Sequence, residues 1–241
     1  MTPQEAVERT LALSRSDDCV VIADETSTAN LRFADNTLTT NGTARDRRLT
    51  VVAIRRGASG ASVGVVSRSG DITDPEDVVR AAESAARENL PAADARPLVG
   101  SADAGTGSAW DEPAAETSIG VFEGLAPALG EAFGRADAGD RRLYGYAEHS
   151  LVSTYLATSS GVRLRHDQPG GKIELNAKSA DLGRSAWVGQ RTRDFSDVDA
   201  ALLDRGLARR LAWAERRIEL PPGRYETILP PSAVADLFVY A

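Results

Sequence analysis

The sequence predicts an α+β fold in which helix, antiparallel strands and helix follow one another twice, so that mixed or antiparallel sheets are flanked by helices. Three observations predict it. Two helical patterns bracket a run of short β-type segments early in the chain, the same order recurs after residue 116, and an aperiodic stretch separates the two rounds. The chain thereby divides into a first helix-strands-helix unit over residues 1–90, a linker-like connection over 91–116, a second helix-meander-helix unit over 117–220, and the start of a truncated further domain over 221–241.

In the first round, Thr2-Pro3-Gln4-Glu5 reads as a capping box with proline at the first helical position, and Val7 and Leu11 add an apolar i, i+4 pair, which predicts a helix over about residues 3 to 15. Residues 19–23, 30–34, 49–55 and 61–66 read as strands, separated by the turn-prone pairs Asp35-Asn36, Asn41-Gly42 and Arg56-Gly57. Asp74-Pro75-Glu76-Asp77 then starts a second helix, one face of which is marked by Val78, Ala82 and Ala85 and which runs to about Asn89. Pro91 to Glu116 is rich in Ala, Gly, Pro, Ser and Asp without periodicity, which suits an exposed connection.

The second round opens with Ile119, Phe122, Leu125, Leu129 and Phe133 at helical spacing, where Pro127 should kink or split the element. Residues 143–148, 151–158, 162–166, 172–178 and 185–192 are short β-type runs parted by Ser159-Ser160-Gly161 and Gln168-Pro169-Gly170-Gly171, an antiparallel meander. Ser196, with Asp199 three residues on, is placed to cap a last helix. Arg209, Arg210, Arg216 and Arg217 sit near its C-terminal end, where cations favour the helix dipole. Pro221-Pro222-Gly223 ends that helix and residues 225–229 read as a new strand. The apolar finish Asp236-Leu237-Phe238-Val239-Tyr240-Ala241 has no capping residue, which suggests a truncated product whose missing half would cover Leu237 and Phe238.

Composition narrows the function classes. A length of 241 residues with 42% hydrophobic content suffices for one large core or two smaller ones. The net charge of -7 gives no basic excess to attract a phosphate backbone, so nucleic acid is not an expected partner. No run approaches the ~20 apolar residues of a membrane span, and the polar start MTPQEAVERT is unlike a signal peptide. A cytoplasmic location without membrane contact is the expectation. The lone Cys19, in the run Cys19-Val20-Val21-Ile22, reads as a buried thiol.

Gly60-Ala61-Ser62-Val63-Gly64 matches the nucleophile-elbow pattern, but the pentapeptide runs straight on into Val65-Val66 where an elbow needs a helix; a small-residue strand packed closely on a neighbour is the better reading. His149 and His166 fall in no metal-binding spacing, and they read as partly exposed structural residues. Gly105-Thr106-Gly107 lacks both a preceding strand and a third glycine, so nucleotide binding has no support. Asp181, Asp194, Asp197 and Asp199 cluster in sequence, yet three of them flank a helix start, where acidic residues are favoured anyway.

The segment from Leu31 to Gly42 (LRFADNTLTTNG), followed by Arg45-Asp46-Arg47-Arg48 and a Val-rich strand, resembles the N-terminal signature of the TldD/PmbA family. The likeness continues through the Asp74-Pro75 helix, the Ser159-Ser160-Gly161 hairpin and Pro221-Pro222-Gly223-Arg224-Tyr225-Glu226, and so covers most of the chain. The resemblance implies a two-component zinc metallopeptidase: a TldD-like subunit carries an H-E-x-x-x-H helix and a cysteine ligand, and a TldE/PmbA-like partner does not. In the catalytic type the strand resembling residues 224–229 runs shortly into that helix, whereas here Val239-Tyr240 stands where the His-Glu pair would be. Imidazoles on successive helical turns hold the metal and the glutamate takes a proton from bound water, tasks that Val and Tyr cannot perform. The resemblance therefore implies no catalytic, cofactor-binding or metal residue in this chain, zinc in a TldD-like catalytic partner subunit, and a peptide substrate. The polar, β-prone run from Asn36 to Arg45, with Asn36, Thr39, Asn41 and Arg45 as candidate residues, could offer a strand edge to an extended peptide. A hairpin that carries only turn chemistry is an equal alternative there. For the whole chain the alternatives are a self-sufficient hydrolase, through Ser62 or zinc ligands beyond residue 241, and a pure interaction module.

Overall fold

A computed structural model of the chain describes residues 1–71, 73–104, 109–216 and 218–240. Gly105-Thr106-Gly107, Arg217 and Ala241 lie outside the described residues. Helices α1 (Pro3–Leu13), α2 (Glu76–Glu88), α3 (Ser101–Ala104), α4 (Leu125–Ala138), α5 (Ala200–Trp213) and α6 (Pro231–Tyr240) accompany strands β1 (Asp18–Ala34), β2 (Thr37–Gly57), β3 (Gly60–Ser69), β4 (Arg141–Thr158), β5 (Arg163–Ser179) and β6 (Ser185–Thr192). The strands form one antiparallel sheet in the order β3-β2-β1-β4-β5-β6, an α+β fold. The two rounds of the sequence therefore meet at the pairing of β1 with β4, and the sheet is continuous across them.

The helix starts follow local chemistry. Thr2 accepts from the Glu5 backbone while Glu5 reaches back to the Thr2 backbone, completing the capping box of α1. Pro127 falls in the first turn of α4, and a separate 3-10 turn, Ile119–Phe122, precedes it; the expected split is there because proline is tolerated in a first turn. Asp199 alone caps α5, accepting from the Leu202 amide at 2.9 Å, while the Ser196 hydroxyl donates to Asp194 instead.

Several strands are longer than the sequence pattern predicts. β1 runs through the polar residues 24–29 and β2 through residues 37–48, because alternation, not apolarity, holds a strand whose other face is wet. β5 passes through Gln168-Pro169-Gly170-Gly171, expected as a turn; Pro169 is tolerated since β6 pairs only from Gly171 onward and leaves that stretch of β5 at the sheet edge. Residues 225–229, expected as a strand, form none, as an isolated extended segment has no ladder to join, and α6 follows.

Cys19, Val21, Ala23, Glu25, Ser27, Ala29, Leu31 and Phe33 alternate along β1 and are all buried, so a single face of the sheet carries the packing. At one end Cys19, Val21 and Ala23 join Val7 of α1, Val78, Val79 and Ala82 of α2, and Tyr155. At the other end Ala29, Leu31 and Phe33 join Leu129 and Phe133 of α4, Leu207 of α5, Ile173 and Leu175. Between these two cores the buried row is polar, with Glu25, Ser27, His149 and Ser153. Residues 109–118 lie across it: the Ala115 amide donates to Ser153, the Thr117 amide to Ser27, and Tyr155 donates from its hydroxyl to the Glu112 carbonyl. Part of the expected exposed connection is thus docked, because buried hydroxyls on the sheet need backbone partners.

Candidate functional site at an open sheet edge

β3 ends where Ser69 meets Arg48, and the Gly70 amide makes a last 2.9 Å bond to the Arg47 carbonyl. Residues 37–46 of β2 pair with β1 on their inner side, and among the described residues no strand pairs with them on the outer side. Since the Arg47 carbonyl points outward, alternation turns the N–H and C=O of Arg45, Thr43 and Asn41 outward as well, leaving the row of unpaired groups that recruits an added strand.

The four expected residues are sorted differently by the structure. Asn41 and Arg45 lie opposite Leu31 and Ser27, on the helix-bearing side of the open edge, and Arg45 pairs with Glu116. Thr39 is the extra residue of a bulge, since Arg32 faces Thr40 and Phe33 faces Leu38. Asn36 belongs to the turn. With φ of 57° and Asp35 at 51°, it closes the β1–β2 hairpin in the left-handed region. Its side chain donates to Asp137 (2.7 Å) and to the Arg141 carbonyl (2.8 Å) and accepts from the Leu143 amide (2.6 Å).

Beside the start of the open edge lies a cleft lined by Thr2, Pro3, Glu25, Arg47, Asp111 and Glu116 among others. Glu25 stands in register with Arg47, whose Nε is 3.2 Å from its Oε2. Sequence reading missed Glu25, because a glutamate inside a polar run looks like a solvated residue; its position at even spacing from Cys19 and Val21, which puts it on their face of the strand, was the available signal.

The remaining candidates serve local structure. The Ser62 hydroxyl donates to the Ala86 carbonyl at 2.6 Å. His149 is buried, contrary to the partly exposed setting expected for it, because both ring nitrogens are bonded: Thr117 donates to Nδ1 (2.7 Å) and Nε2 donates to the Arg193 carbonyl (2.9 Å). The Ser179 hydroxyl, with the Gly183 amide, holds the Asp181 carboxyl below the usual carboxylate range, and the Ser196 hydroxyl and amide do the same for Asp194. Asp197 accepts from Thr192 and Gln190, so these carboxylates close turns. Among the described residues no group of three or more His, Cys, Asp and Glu is placed to hold a metal ion. Cys19 belongs to one core, His149 has both nitrogens engaged and His166 is exposed beside Gln168, a donor set that does not fit a zinc site. No helix among the described residues is long and apolar enough to cross a membrane.

Residues 19–88 match the family model described as PmbA/TldA metallopeptidase domain 1. The fold is similar to that of TldE from Thermococcus kodakarensis, with a TM-score of 0.62 and 12% identity over 88% of this chain and 48% of that one. It is also similar to a protein described as a modulator of DNA gyrase from Thermotoga maritima, with a TM-score of 0.62 and 17% identity over 87% of this chain and 47% of that one. A third similar structure, likewise described, comes from Bacteroides thetaiotaomicron, with a TM-score of 0.60 and 14% identity over 87% and 48% of the two chains. At such identities the likeness is one of fold, and this chain spans about half the length of the structures it matches. No curated protein matches the sequence significantly.

Proposed function

We propose that this chain, whose residues 19–88 match a PmbA/TldA metallopeptidase domain 1 model, is a member of the TldD/PmbA family and plays the part of a non-catalytic, TldE/PmbA-like subunit in a two-component cytoplasmic zinc metallopeptidase, where it supplies scaffold and a strand edge that holds extended peptides. The observation that carries this reading is the unpaired outer edge of β2 over residues 37–46. An unfolded peptide adds there through main-chain hydrogen bonds to Asn41, Thr43 and Arg45, which bind backbone irrespective of side-chain sequence and so suit a peptidase that takes small or unfolded substrates. Zinc and the water it activates belong, in this reading, to the TldD-like partner, since the donor set here does not fit the metal. Residues 1–90 and 117–220 act as two units of one body, joined by 91–116. A TldE among the structural neighbours supports the same assignment.

Thr43→Pro tests it. The substitution removes an outward N–H while leaving the β1 ladder intact, since Thr43 faces outward, and proline is accepted at such edge positions. The variant should keep its melting temperature within a few degrees, yet lose most peptide binding and slow peptide cleavage by the pair reconstituted with a TldD-like subunit. Cleavage and binding at wild-type levels would refute the role of this edge.

A further inference from the structure

We infer that the cleft beside the open edge accepts the cationic side chain of a lysine or arginine in the added peptide, with Glu25 as its counter-ion. The inference rests on strand addition at β2 and names the substrate feature that the same site selects. Glu25 is the carboxylate on which it turns. Its side chain is 9% exposed, it lines the cleft, and its Oε2 accepts no hydrogen bond. The nearest cation, Arg47, lies 3.2 Å from that oxygen but outside hydrogen-bonding geometry. The same guanidinium also donates to the Met1 carbonyl at 3.3 Å and stands 3.8 Å from Asp71. Buried carboxylates are otherwise paired and bonded, so this one is short of a donor.

Its surroundings favour a cation over a neutral donor. Glu5, Glu25, Asp111 and Glu116 line the cleft against two cationic residues, Arg47 and Met1 with the amino terminus, and Arg45 just outside is neutralised by Glu116. Glu5 is already engaged by the Thr2 amide and Glu116 by Arg45, which leaves Glu25 and the exposed, solvated Asp111; of the two, Glu25 is the buried one, with an oxygen that accepts no hydrogen bond. Position supplies the link to the peptide. Glu25 lies in the row of Arg47, where β3 has ended and the open stretch of β2 begins. A residue of an added strand set opposite Arg45 lies two strand spacings from β1, about 10 Å. Lysine and arginine are long enough to cross that distance over Arg47, and their apolar stems can lie along Pro3 at the cleft wall.

Fluorescence anisotropy with labelled, end-blocked, threonine- and valine-rich decapeptides that differ only at one central position tests this on the 241-residue chain. The lysine peptide should bind roughly tenfold more tightly than its norleucine twin, the ratio expected for one charge-assisted bond, and a glutamate peptide should bind worst. Glu25→Gln should abolish the preference for lysine and leave the norleucine affinity in place. Equal binding of lysine and norleucine peptides to the wild type overturns the inference while strand addition stands, and this comparison needs no variant to fold. Binding by none of the peptides, or binding indifferent to Thr43→Pro, removes strand addition and the inference with it.

Discussion

Cys19 shows how far one residue can be read from its neighbours. An apolar run places the thiol inside, and it is buried near the start of β1, where desolvation pushes its pKa up, with the nearby Glu83 adding to the shift and Ser14 opposing it. A thiol that keeps its proton in the folded state while the unfolded chain releases it favours folding fully below the unfolded pKa, about 8.5, and less as pH rises above that value. The stability difference between wild type and Cys19→Ala in urea melts should therefore shrink from about pH 8 to about pH 10, and iodoacetamide should label the native thiol only on unfolding. A difference that grows with pH would contradict the burial. Asn36 shows the opposite case. A turn signal and a binding signal are the same residue type, and only the positions of Asp137, Arg141 and Leu143 show that its amide is spent on the hairpin.

At the scale of elements, the G-x-S-x-G pentapeptide is a packing device. A Cβ built on Gly64 would come within 2.1 Å of the Ala82 carbonyl and 2.4 Å of the Ala86 amide, so β3 and α2 meet backbone to backbone. Neither side can yield cheaply, as both contacts are main chain. Gly64→Ala should destabilise the protein by about 1–3 kcal/mol, or roughly 2–4 °C in Tm for each kcal/mol, while Ser62→Ala should cost less and leave any hydrolytic activity unchanged. A melting temperature for Gly64→Ala equal to wild type would show that α2 does not lie this close. The same scale holds the strand-length differences: residues 24–29 and 168–171 carry turn-like or polar composition, and pairing with β2 and β4 nevertheless keeps them extended.

For the whole molecule, the two cores at either end of one sheet face are linked by the polar row that residues 109–118 cover. The opposite extreme is the C-terminal region. Trp213, Ile228, Leu237, Val239 and Phe238, the last 81% exposed, project from α5 and α6 and the segment between them. Such a concentration of exposed apolar side chains makes a surface prone to association. The isolated chain should bind a hydrophobic dye such as ANS and self-associate as concentration rises, and Phe238→Glu should reduce both without lowering the melting temperature. Dye binding unchanged by Phe238→Glu would place the sticky surface elsewhere.

By itself the sequence determined the α+β class, the capping box of α1, the split at Pro127, the burial of Cys19 and the resemblance of its first part to the TldD/PmbA family, since each depends on residues adjacent along the chain or on a contiguous motif. The joining of two rounds into one sheet, the docking of 109–118, the open side of β2 and the donor-poor oxygen of Glu25 were decided only in three dimensions. Strand order and edge exposure are set by which distant segments compete for the same backbone groups. A carboxylate becomes a site only when its neighbours on other strands fail to satisfy it.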